Sequence, residues 1–154
     1  MSRTEEVELT NMCMICDGKG NVLVQNKISN GPWHGWNFPG GHAEKGEYVT
    51  PSVIREIREE TGLTIEDPRL CGIKEFHKQK DGKRYIVFLY VADRFTGALK
   101  SSTEGNVFWY PLRELATSDK LIDGFEEMSP VFTSDTLSEV YYEQTPEGLK
   151  TVFC

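Results

Sequence analysis

The sequence predicts a layered α/β or α+β domain, and three observations carry that expectation. Apolar runs of strand length recur along the 154 residues, separated by Gly, Asp, Asn and Lys turns. One segment, about 50–61, has helical spacing instead and is bounded by a proline and a glycine. Strand-like and helix-like segments are mixed along the chain, the pattern of elements that pack in layers. The length fits one domain with a real core, and 38% hydrophobic with 27% charged residues is ordinary for a globular chain.

Taken in order, Met12–Cys16 and Val22–Gln25 are short apolar runs around the turn-forming Asp17-Gly18-Lys19-Gly20-Asn21, which predicts a β-hairpin. The first run extends back to Leu9. Residues 30–41, Asn-Gly-Pro-Trp-His-Gly-Trp-Asn-Phe-Pro-Gly-Gly, carry too much Gly and Pro for a regular element and predict a loop. Its two tryptophans can cap the core or stack on a planar ligand. A helix follows over about Thr50–Thr61, either capped by Thr50 with Pro51 at the first helical position, or begun near Tyr48. Gly62 ends it. Leu70–Phe76 and Tyr85–Ala92 are predicted strands joined by the polar turn 79–83, and Val107–Tyr110 is a short strand. Pro111–Ala116 and Phe125–Phe132 are predicted short helices. Val140–Glu143 and Leu149–Phe153 flank Thr145-Pro146-Glu147-Gly148 and predict a terminal hairpin within about 138–153. No repeat or long linker divides the chain, so residues 1–154 are expected to form one domain.

A net charge of −7 argues against a broad nucleic-acid surface, which is normally basic, and leaves room for a phosphorylated small molecule held through a cation. No stretch approaches the roughly 18 apolar residues of a membrane helix. The acidic start, Met1-Ser2-Arg3-Thr4-Glu5-Glu6, lacks the features of a signal peptide, so a cytoplasmic location is expected. Oligomeric state stays open. Cys13-Met14-Ile15-Cys16 has C-x-x-C form, yet residues three apart on a strand face opposite sides, and no second pair completes a zinc set. Neither zinc nor a bridge is expected there.

The segment 50–61 carries the chemistry. Glu56, Glu59 and Glu60 are related by i, i+3 and i+4 and share one helix face, while Val53, Ile54, Ile57 and Thr61 share another. Arg55 and Arg58 lie away from the centre of the acidic stripe. Three adjacent like charges destabilise a helix unless something offsets them, and a hard cation with oxygen ligands does so.

The full segment reads Gly41-x₅-Glu47-x₇-Arg55-Glu56-Ile57-x-Glu59-Glu60-x-Gly62-Leu63. It resembles the Nudix box at every defining position, and about 7–132 resembles the Nudix domain. The resemblance implies an α/β/α sandwich around a mixed β-sheet, with the box as a loop–helix–loop. It implies a hydrolase that splits a nucleoside-diphosphate linkage with Mg²⁺, or Mn²⁺ in its place. It implies metal ligation by Glu56, Glu59, Glu60 and the Gly40 carbonyl, completed by a distal-loop glutamate best matched by Glu104. Gly41 supports the loop, Glu47 supports it or ligates through water, and Arg55 orients Glu56. Metals between these carboxylates and the phosphate oxygens neutralise charge and lower the pKa of bound water. Glu56 is the first candidate for the base and Glu104 the second.

Trp36-Asn37-Phe38-Pro39-Gly40-Gly41 resembles the entry of MutT-like enzymes that destroy oxidised purine nucleoside triphosphates, with Asn37 at the purine edge. Trp36, Asn37 and Asp123 are the implied substrate contacts. Only Asp123 stands where the mammalian oxidised-purine enzyme has two adjacent aspartates. ADP-ribose, dihydroneopterin triphosphate and ordinary nucleotides are alternative substrates, and a nucleotide-sensing domain without turnover is the alternative class.

Overall fold

Three sheets and three helices make up the computed structural model, which describes residues 2–29, 31 and 33–154. The elements are β1 (Val7–Ile15), β2 (Asn21–Lys27), β3 (Gly35–Asn37), α1 (Val49–Thr61), β4 (Leu63–Ile65), β5 (Arg69–His77), β6 (Arg84–Ala92), β7 (Phe95–Gly97), β8 (Gly105–Pro111), α2 (Leu112–Leu115), α3 (Phe125–Thr133), β9 (Glu139–Thr145) and β10 (Gly148–Phe153). The largest sheet has the order β1-β6-β5-β9-β10 and is mixed: β1 runs parallel to β6, β5 antiparallel to β6 and parallel to β9, and β9 antiparallel to β10. A second, antiparallel sheet has the order β3-β2-β8, and β4 pairs with β7.

Side-chain alternation on the large sheet splits the core in two. Cys13, Ile15, Tyr90 and Ala92 pack with Val53 and Ile57 of α1 and Leu23 of β2. Met12, Met14, Val87 and Leu89 face the other way and pack with Phe125, Met128, Val131 and Phe132 of α3. The helices therefore cover opposite faces, the α/β/α layering expected. Cys13 and Cys16 fall in different clusters, and all four cysteines are free.

The expected hairpin at 12–25 is corrected. The turn forms, with Asp17 Oδ1 accepting from the backbone of Lys19 and Asn21, but only Cys16 and Val22 bridge across it. Beyond that point β1 joins β6 and β2 joins β8, because each finds a longer partner far along the chain. The free edge of β1 is closed by the segment after β3. Asn11 N donates to Gly41 O (2.8 Å), Cys13 N to Pro39 O (3.0 Å) and Ala43 N to Leu9 O (2.9 Å). An exposed edge is thereby avoided, and residues 39–43 are fixed against the sheet. β3, β4 and β7, three residues each, are stabilised by partners outside their own segments and have no sequence period to show. α3 tolerates Pro130, whose missing N–H would have served Glu126 O, where Ser129 Oγ donates at 3.3 Å.

Candidate active site

Helix α1 begins at Val49, with Tyr48 as an extended N-cap that makes no side-chain capping bond, so Pro51 lies in the first turn, where its missing N–H costs nothing. Thr50 does not cap; its hydroxyl pairs with the Tyr90 hydroxyl at 2.7 Å. Gly62 closes the helix in the left-handed region at φ 80°, its N–H on Arg58 O. Val53, Ile57 and Thr61 are buried as the spacing predicted, and Glu60 is buried with them.

The loop ahead of the helix is held by one side chain that sequence reading missed. Asn11 sits inside β1, buried; its Oδ1 accepts from Gly41 N (3.1 Å) and its Nδ2 donates to Ser52 Oγ (2.8 Å). Ser52 in turn donates to Val49 O at 2.6 Å. Asn11 thus ties β1, the Gly40-Gly41 turn and the first turn of α1 together. An Asn in an otherwise apolar strand run was the available signal. A Cβ at Gly40 would stand 2.2 Å from the Asn11 carbonyl oxygen, and one at Gly41 would stand 2.5 Å from the Glu56 carboxyl carbon, so neither position accepts a side chain without rearrangement.

Arg55 uses all five of its N–H bonds here. Nε and Nη2 fork onto the two Glu47 oxygens, both at 2.8 Å; Nη1 reaches Glu56 (3.0 Å) and Glu59 (3.1 Å); Nη2 also reaches His42 O (3.1 Å). The backbone of Arg55 lies away from the centre of the acidic stripe, and the long side chain folds back along the helix to reach Glu56 and Glu59. The guanidinium holds the Glu47 carboxyl down at about 2.

Glu60 is 4% exposed, and its Oε2 accepts from Gly40 N at 3.2 Å. Burial pushes its carboxyl up to about 7, against the pull of Lys27 and the Gly40 N–H. Burial also raises Glu56. Glu104, exposed just before β8, is near enough for its negative charge to raise both a little further. Glu59 stands more open on the helix surface. Among the described residues, no three His, Cys, Asp or Glu side chains form a ready cage. Arg55 draws Glu56 and Glu59 aside, and Glu60 turns to the loop. The donor set nevertheless fits a hard divalent cation: it is all-oxygen, and acidic neighbours add to the burial that raises Glu56 and Glu60. The Gly40 carbonyl, flanked by two carbonyls that bond β1, accepts no hydrogen bond among the described residues.

Beside this patch opens a cavity of about 250 Å³. Lys27, Trp33, Asn37 and Gly41 line it, and Tyr85 and Val87 of the large sheet form its floor. Asn37 Oδ1 accepts from Phe38 N at 2.9 Å. The other two expected substrate contacts are not brought here. Trp36, one residue earlier on β3, faces the opposite side, edge-on to Phe108 and Tyr110 with Lys120 Nζ 5.1 Å over its ring. Asp123 lines a separate surface hollow with Glu126 and Glu127. Lys27 and Tyr85 carried no sequence signal of their own; Trp33 was visible as a loop tryptophan.

Residues 9–132 match the NUDIX domain family. The chain belongs to the Nudix hydrolase family. An uncharacterized Nudix hydrolase of Bacillus subtilis is 40% identical over 112 residues, 70% of this chain and 67% of that one. An ADP-ribose pyrophosphatase of Methanocaldococcus jannaschii is 33% identical over 87 residues, about half of either chain (56% and 52%). A human 8-oxo-dGDP phosphatase is 32% identical over 87 residues, 53% of this chain and only 25% of that one. In structure, the mutator MutT protein of Bacillus halodurans superposes with a TM-score of 0.77 at 29% identity, covering 95% of this chain and 97% of that one. The Nudix fold neighbours share the mixed sheet and few helices seen here. Nudix hydrolases generally use divalent metals, in keeping with the carboxylate patch. The match ends at residue 132, within α3, and β9–β10 extend the large sheet beyond the matched residues. No helix of the described residues is long and apolar enough to cross a membrane.

Proposed function

We propose that this Nudix hydrolase cleaves nucleoside triphosphates to the monophosphate and pyrophosphate, with an oxidised guanine nucleotide as the preferred substrate. The observation that carries the reading is the adjacency of two surfaces. A cavity floored by Tyr85 and edged by Asn37 opens directly onto Gly41, whose close approach to Glu56 leads into the acidic patch. A planar base in the cavity leaves its phosphates over Glu56, Glu59, Glu60 and Glu104. Mg²⁺ held there by these carboxylates and the Gly40 carbonyl would neutralise phosphate charge and activate water. Glu56 has one oxygen on Arg55, leaving Oε2 to receive a proton. Lys27, between cavity and patch, meets the phosphate chain. Asn37 Oδ1 keeps a second lone pair for the N–H that oxidation creates on the five-membered ring of guanine, and its amide N–H groups remain to donate.

Measuring kcat/KM with Mg²⁺ for 8-oxo-dGTP, dGTP and ADP-ribose tests this. An advantage for 8-oxo-dGTP, compressed by Asn37→Ala through KM, is expected. Equal values for the two guanine nucleotides, or a clear win for ADP-ribose, would overturn the base preference and leave the family unchanged.

A further inference from the structure

Among the described residues Lys74 is the one buried lysine, 5% exposed in the middle of β5. A buried ammonium is expensive unless it is paired and hydrogen-bonded. Among the described residues no carboxylate lies within ion-pair distance of its Nζ and no hydrogen bond satisfies it; Glu127 on α3 acts only through space. The Nζ lies instead 5.2 Å from the Tyr142 ring centre and 5.7 Å from that of Phe76. Gly124, just before α3, makes the room: a Cβ there would stand 3.1 Å from both the Lys74 Nζ and the Tyr142 hydroxyl.

The position of this amine relative to the cavity gives it a use. Lys74 is the register partner of Val87, a floor residue, and alternation puts both side chains on the same face of the sheet. The rings on that face form a chain: Trp33 to Tyr85 (6.2 Å, 18°), Tyr85 to Phe76 (5.0 Å, 23°) and Phe76 to Tyr142 (6.1 Å, 42°). Lys74 and Phe76 stand on β5, one strand beyond the cavity-lining Tyr85 and Val87 and on the same face, without lining the cavity themselves. A planar ligand that extends from Tyr85 and Val87 across this face to β5 would bring its far edge toward the amine.

We propose that Lys74 is a specificity-determining residue, whose amine donates to an acceptor oxygen on the inner edge of the substrate's base and so favours a carbonyl-bearing base over an amino-bearing one. The inference rests on the nucleotide reading above and deepens it. Asp123, which could have supplied an acceptor for an amino group, faces elsewhere. Burial pulls the Lys74 ammonium below its ordinary value, and the amine is a donor in either protonation state. A site built to donate leaves its donor facing another donor when adenine enters, and such mismatches discriminate strongly.

The test compares dITP with dATP, which differ at the C6 carbonyl or amino group and the neighbouring ring nitrogen, in the wild type, Lys74→Met and Lys74→Gln. A charged hydrogen bond supports about a 10- to 100-fold preference in kcat/KM for dITP in the wild type. Lys74→Met should bring the ratio within about threefold, mainly through the KM for dITP, and Lys74→Gln, which keeps an N–H donor, should retain part of it. An unchanged ratio in Lys74→Met, or no preference in the wild type, overturns the inference. Turnover of no nucleoside triphosphate would instead remove the proposed function. Binding of dIMP and dAMP, followed by tryptophan fluorescence, then decides the lysine: a dIMP preference lost in Lys74→Met supports it, and equal binding overturns it.

Discussion

The Arg55 guanidinium and the Glu47 carboxylate meet as a two-bond fork, Nε to Oε2 and Nη2 to Oε1, each at 2.8 Å. The pair joins the loop after Gly41 to the helix that carries the acidic residues. A lysine cannot reproduce a planar fork. Arg55→Lys should therefore keep the fold and lower kcat about 10- to 100-fold, as Glu56 and Glu59 lose a shared anchor. Circular dichroism with steady-state kinetics checks both halves, and undiminished kcat would remove the orienting role.

The same fork has a pH signature. The folded Glu47 carboxyl, at about 2, lies below its ordinary 4.5, so the folded state binds the proton less readily than the unfolded one. Its contribution to stability is full above about 4.5 and is lost as pH falls toward 2. The Tm difference between wild type and Glu47→Gln should be widest at neutral pH and vanish near pH 2. A difference that stays constant with pH would rule out the ion pair as its source.

Glu60 behaves in the opposite sense. Its folded carboxyl is raised to about 7, so without metal the ionised side chain costs stability progressively as pH rises from 4.5 through 7. In EDTA at pH 8, Glu60→Gln should melt on the order of 5 °C higher than the wild type, and the gain should disappear at pH 4. With Mg²⁺ restored, the variant should lose most of its activity. An equal Tm at both pH values would show that the buried carboxylate carries no penalty.

Gly41→Ala places a methyl group 2.5 Å from the Glu56 carboxyl carbon. Glu56 must move, so kcat should fall at least about tenfold while nucleotide affinity changes little. Kinetic constants together with product binding separate the two effects; a loss confined to affinity would place the disturbance in the cavity instead.

Asn11→Ala removes bonds to Gly41 N and Ser52 Oγ inside the protein and should cost about 2–3 kcal/mol, since a buried partner is left unsatisfied. Urea unfolding measures this directly. A cost under about 0.5 kcal/mol, the size of a neutral surface change, would show that the stitch is redundant.

The helix and its boundaries were legible because they depend on local spacing and end at a glycine. Val53, Ile57 and Thr61 face the sheet as i, i+4 and i+8 require, and Gly62 stops the helix. What lay beyond reach depends on distant partners. The false hairpin at 12–25 came from a correct turn whose strands pair elsewhere, with β6 and β8. The opposite facing of Trp36 and Asn37 follows from strand alternation, but the three-residue strand that imposes it was hidden among glycines and prolines. The acidic face was readable from spacing and the Arg55–Glu56 contact from the resemblance, whereas the reach of Arg55 to Glu47 and Glu59 was not, because helical geometry fixes where a side chain starts rather than where a long one ends. Lys74 was invisible as a buried group, since an amphipathic strand pattern assigns a lysine to solvent.

The parallel pairing of β1 with β6 joins residues 7–15 to residues 84–92. Parallel strands far apart in sequence are slow to meet, because the loop between them must close before any contact rewards it. Here that loop contains the whole acidic helix and the Gly40-Gly41 turn. On the ribosome, the first half of the chain can form α1 as a local element but cannot seat it between its final neighbours. The site is therefore assembled late in synthesis, after β6 has emerged and locked β1 in place. Until then the carboxylates sit on an undocked helix facing open water, and the burial that sets Glu60 apart from Glu59 does not yet exist.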